Sequence, residues 1–91
     1  MKADDALFNW LQIRLVADAR PRDEAALETL RFFERMLEED HGIRAPAIGK
    51  RDGTMYHITY AAENRRKTRM FDREAAERLL ADIEAYPQYF E

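Results

Sequence analysis

The chain has 91 residues and a net charge of −3, a length that suits one domain (1–91), and 14 of its 42 apolar residues are Ala, which leaves 28 larger side chains to build a core. It contains no Cys, which excludes disulfides, thiolate chemistry and Cys-based zinc sites, and no Ser, the commonest hydroxyl nucleophile. Apolar burial and ordering entropy nearly cancel in so short a chain, so added burial in a homodimer is expected to help.

The start Met1-Lys2-Ala3-Asp4-Asp5 lacks the apolar run and cleavage site of a secretory signal, and no stretch nears the roughly 18 apolar residues of a membrane span. A cytoplasmic location is expected. Charge is uneven along the chain. Residues 1–48 carry 7 basic and 10 acidic groups, residues 49–73 carry 7 and 3, and residues 74–91 carry 1 and 5. A basic segment therefore lies between two acidic ones.

Asp4 and Asp5 precede an unbroken stretch from Ala6 to Arg20 without Gly or Pro, which predicts an acid-capped helix. Leu7, Phe8, Leu11 and Leu15 make one apolar stripe on it, and Trp10, Ile13 and Ala17 make a second on another side. A surface helix needs one stripe only, so this helix is either sandwiched within the monomer or turns its second face to a partner. Leu11 to Leu15 also alternates with period two, a competing strand reading that ranks below the helix.

Arg20-Pro21-Arg22 breaks the pattern, and Asp23 then caps a second helix from Glu24 to about His41, ended by Gly42. The short link makes the two helices neighbours, a helical hairpin over residues 1–42. Ala26, Leu27, Leu30, Phe33 and Leu37 form the buried face, with Phe32 and Met36 widening it.

Residues 43–71 read as an antiparallel sheet. Ile43 to Lys50 suits an edge strand because Pro46 lacks a ladder donor, and Asp52-Gly53 is a turn signal. Thr54 to Ala62 is rich in strand formers, and Glu63 to Arg66 makes a turn into Lys67 to Phe71. With the loop at Asn64-Arg65, Ile58 pairs with Phe71, Tyr60 with Arg69 and Ala62 with Lys67. That places Tyr56, Ile58, Tyr60 and Phe71 on one face and Met55, His57, Thr59, Thr68 and Met70 on the other. Residues 72–91 form the last helix and a tail. Asp72 caps the helix, Ala76, Leu79, Leu80, Ile83 and Tyr86 share a face, and Pro87 ends it. Tyr89 and Phe90 in the tail are expected to be shielded from water. The expected fold is α+β, in the order ααβββα, with an N-terminal helical hairpin, a three-stranded antiparallel sheet and a C-terminal helix packed on the sheet.

Tyrosines interleaved with Arg and Lys suit single-stranded nucleic acid, whose bases stack on rings while cations neutralise phosphates. Seating the last helix on the same Tyr56–Ile58–Tyr60 face is the preferred use of those rings. The order of strand, polar turn, strand and acid-capped helix runs through Gly53-Thr54-Met55-Tyr56 and Arg65-Arg66-Lys67-Thr68-Arg69-Met70-Phe71-Asp72-Arg73-Glu74-Ala75-Ala76. It resembles the arm-type DNA-binding module at the N-terminus of many tyrosine recombinases. The resemblance spans fewer than half of the residues, lacks the aromatic usual in that family's first strand and comes without a recombinase catalytic domain, so no family is assigned. What it implies is nucleic-acid contact through the sheet.

His41 follows Glu38-Glu39-Asp40, where the helix dipole favours a histidine, so a metal site is not the preferred reading. His57 as a general base would need a positioned partner. The adjacent acids Asp4/Asp5 and Glu38/Glu39 diverge by about 100° on a helix and do not converge on a substrate. No phosphate-binding loop, dinucleotide fingerprint, nucleophile elbow or zinc spacing occurs. The expectation is a non-enzymatic interaction or regulatory protein without metal, cofactor or small-molecule ligand. It is expected to be a homodimer formed through the helical hairpin, with Trp10, Ile13, Phe32 and Met36 as the surplus apolar surface, or else to meet another protein there. The alternative is a nucleic-acid-binding module using Lys50, Arg51, Arg65, Arg66, Lys67 and Arg69, with Tyr56 and Tyr60 as stacking rings.

Overall fold

Helix α1 (Ala3–Ala19) is apolar on more than one side because it is the central element of the computed structural model, which describes residues 1–87. Ala6, Leu7, Trp10 and Leu11 join one core cluster with Leu37, Ile43, Tyr56, Ile58, Ala62 and Ala76. Val16 and Ala17 join a second with Ala26 and Ile83. The two stripes are thus both consumed within the chain, and the stretch Leu11–Leu15 is helical throughout. Asp4 and Asp5 lie inside the first turn, where they complement the helix dipole; the capping position is Lys2, whose side chain makes no capping hydrogen bond.

Helix α2 (Glu24–His41) begins at Asp23, whose carboxylate accepts the Ala26 amide at 3.0 Å, and ends at Gly42, held at φ 63° in the left-handed region. It packs along α1 as the short link requires. The strands follow as β1 (Arg44–Arg51), β2 (Met55–Ala62) and β3 (Arg65–Asp72), antiparallel in the order β1-β2-β3. Helix α3 (Arg73–Ala85) is capped by Asp72, which accepts the Ala75 amide at 2.8 Å. Element order, antiparallel sheet and the packing of a helix on it are as expected.

The β2–β3 register differs from the expected one by two residues. Tyr56 pairs with Phe71, Ile58 with Arg69, Tyr60 with Lys67 and Ala62 with Arg65, and Glu63-Asn64 alone forms the turn. Both turn residues have positive φ, 54° and 60°, as a primed two-residue turn requires. Asn64 suits that region in either turn, and Glu63 and Arg65 are equally ordinary side chains there, so local preference does not separate the two turns and closing the longer ladder decided the outcome. A slip of two keeps every side chain on its face. β3 consequently starts at Arg65 instead of Lys67. At the other end Tyr86 has left the helix and is exposed, while Tyr89 and Phe90 lie outside the described residues.

Candidate interaction surface

All three helices lie on one face of the sheet. Tyr56 and Ile58 point into the main core, with Tyr60 and Phe71 packed against it, and Phe71 meets Phe8 of α1 with ring centroids 5.5 Å apart. The cover is shared by α1, through Leu7, Trp10 and Leu11, and α3, through Ala76. Tyr56 is only 2% exposed. The stacking-platform version of nucleic-acid binding is thereby removed, since a base cannot reach a ring that is already packed.

The opposite face has no helix over it. Along β2 it presents Met55, His57, Thr59 and Ala61; opposite them stand Met70, Thr68 and Arg66 of β3, and Lys50, Ala47 and Arg44 of β1. Met70 is 56% exposed. Gly49 sits at a register break of β1, and a Cβ there would come 2.9 Å from Cγ2 of Thr59, so the missing side chain lets Thr59 lie flat over β1.

One end of this face is tied down by the β1–β2 turn. Asp52 accepts the amides of Thr54 at 2.9 Å and Met55 at 2.7 Å, and its other oxygen lies 2.9 Å from Nε2 of His57. His57 first, then those two amides, hold the Asp52 carboxyl well below the usual carboxylate range. Arg73 of α3 donates to the Asp52 carbonyl at 2.8 Å, stacks 5.6 Å from the Tyr56 ring centroid and reaches Glu77 at 3.2 Å. Tyr56 donates its hydroxyl to Glu77. Burial and the neighbouring Glu77 carboxylate push the Tyr56 phenol up, and the Tyr56 hydroxyl followed by Arg73 holds the Glu77 carboxyl down. Beside this cluster a cleft of about 410 Å³ opens over Leu15, Ile48 and Leu80. Of its polar lining, Tyr56 and Glu77 bond each other and Asp18 pairs with Arg14, which leaves Arg51 at the rim without an ion pair among the described residues.

The expected dimer surface is corrected at its centre. Trp10 is 0% exposed inside its own core, with Nε1 donating to Glu34 at 3.2 Å. Ile13 packs against the second cluster and Met36 against the first. Phe32 alone stands out at 50% exposure, its ring edge against Phe33.

The six expected nucleic-acid contacts do not form one patch. Lys50 and Arg66 lie on the open face, whereas Arg51, Arg65, Lys67 and Arg69 are opposite Tyr56, Ala62, Tyr60 and Ile58 and so rim the helix-covered side. Lys67 pairs with Glu63 at 3.4 Å and Arg69 with Asp4. Arg44, which pattern reading passed over, joins Lys50 and Arg66 because the break at Ala45–Pro46 brings it opposite Ala61. Among the described residues, none of these three has an ion-pair partner. His41 keeps Nε2 buried with no hydrogen-bond partner among the described residues.

No helix among the described residues is long and apolar enough to cross a membrane. No protein-family model, curated protein or solved structure matches the chain.

Proposed function

We propose that this chain is a non-enzymatic interaction protein that meets a partner protein through the uncovered side of its sheet. One observation carries the reading: all three helices are spent on one face, so the other is left as an open surface with Met55, Ala47, Ala61 and the exposed Met70 among Thr and basic side chains. Antiparallel sheets tolerate one solvated face, but such faces are ordinarily polar, and exposed Met is a side chain suited to adaptable contacts. A photo-crosslinking residue at Thr59, on the open face, is expected to trap a discrete partner in the cells that make the protein. The same residue at Glu39, on the far side of α2, should not. Equal trapping from both positions, or none from Thr59, would overturn the assignment. If the product is a second copy and its formation is abolished by Phe32→Glu, the contact lies on α2 instead.

A second reading, nucleic-acid binding, is favoured by the segregation of charge. The acidic helices stand behind the sheet, and Arg44, Lys50 and Arg66 point away from them. It ranks below the first because three cations without an exposed ring offer little beyond weak phosphate attraction.

A further inference from the structure

We propose that the free edge of β3 takes an extended acidic segment of the partner protein as a fourth strand; this rests on the reading that the uncovered side of the sheet is the interface. The two edges of the sheet are built differently. β1 is broken by two register shifts, carries Pro46 and holds Ala45 at φ 51°, all of which spoil it as a template for another strand. β3 pairs with β2 over eight consecutive residues without a bulge. Because Glu63 and Asn64 alone make the turn, Ala62 and Arg65 are the hydrogen-bonded pair beside it. Alternation from there leaves Arg66, Thr68 and Met70 with their N–H and C=O groups directed away from β2. All three residues are exposed.

A groove of about 490 Å³ runs along the second half of this edge, lined by Thr68, Met70 and Met55 from the open face and by Asp4, Arg69 and Phe71 from the helix side. Residues from both faces meet there because the groove straddles the strand edge, where an added strand would lie.

Charge selects the occupant. Arg65, Arg66, Lys67 and Arg69 place four cations in five consecutive positions, and Arg65 and Arg66 have no ion-pair partner among the described residues. A second copy paired antiparallel through β3 would set these cations against their own counterparts, which is destabilising. Edge charges of one sign therefore block self-pairing and at the same time favour a strand of the opposite sign. On the open face Arg66 and Met70 are four residues apart, so the segment should carry a carboxylate and an apolar side chain at that same spacing.

The test uses the whole protein and a short labelled peptide with glutamate and valine four residues apart on one face of the strand. Its controls are a version with lysine for glutamate and a duplex oligonucleotide. The glutamate peptide should bind, with amide NMR shifts concentrated on residues 66–70, and Arg66→Glu should weaken it about tenfold. Thr68→Pro, which removes an edge donor and leaves the β2 ladder intact, should abolish binding. Arg66→Glu is a surface change without a partner to lose, so it decides the matter if the proline variant does not fold. No binding, binding unchanged in Arg66→Glu, equal binding of the lysine peptide, or shifts on β1 or the helices would each overturn the proposal. Binding of the duplex with displacement of the peptide would transfer the edge to the nucleic-acid reading. A partner trapped from Thr59 together with failure of the peptide removes the edge proposal and leaves the interaction reading standing.

Discussion

Asp52 shows how much one side chain can organise at this scale. It closes the β1–β2 turn by accepting two amides, stands beside His57 of the open face and offers its carbonyl to Arg73. Its folded carboxyl lies below the ordinary Asp value of 3.8, so its charge stabilises the fold at any pH above that range, and the contribution is lost as pH falls toward the folded value. Asp23 and Glu77 are shifted in the same direction, so their charges stabilise the fold in the same sense. An Asp52→Asn variant is expected to melt below the wild type at neutral pH, with the gap closing only as pH drops below the ordinary Asp value of 3.8 toward the folded one. A gap that stayed constant into acid would show that the charge contributes nothing. The turn signal Asp52-Gly53 was plain in the sequence. The pairing with His57 was not, because a contact between a turn residue and a strand residue five positions on depends on the face the strand turns outward.

Between elements, register and sidedness decide what a residue can do. The β2–β3 hairpin places Glu63 at φ 54°, where an ordinary side chain costs about 1–2 kcal/mol relative to glycine-like residues. Replacing Glu63-Asn64 with Asn-Gly should therefore stabilise the protein by about 1 kcal/mol, read as a rise in the unfolding midpoint in denaturant with an unchanged slope. No gain would mean that the Glu63–Lys67 contact offsets the strain. Helices α2 and α3 were legible through Asp23, Gly42 and Asp72, since caps are local chemistry. The exact hairpin register was not, because Asn64 satisfies either of two turns and only the full ladder distinguishes them.

For the molecule as a whole, the layering separates an acidic helical side from a basic open side, and this sets a limit on the nucleic-acid reading. Affinity for duplex falls with salt at a logarithmic slope of about −0.9 per phosphate neutralised, so Arg44, Lys50 and Arg66 together give a slope no steeper than about −3. A steeper slope in an anisotropy titration would bring in Arg51 or Arg65, or else Lys67 and Arg69, whose present pairs with Glu63 and Asp4 would then have to open. By itself the sequence determined the number, kind and order of the elements, because periodicity, caps and turns are properties of neighbouring residues. It also limited α1 to two fates, sandwiched or partnered, since an all-round apolar helix must be covered on both sides. Only the tertiary structure chose between them. Seating Trp10 against Glu34 and between two helices and a sheet uses groups far apart in the chain, and once that core closed on one face of the sheet, the other face and the β3 edge became the surfaces left open.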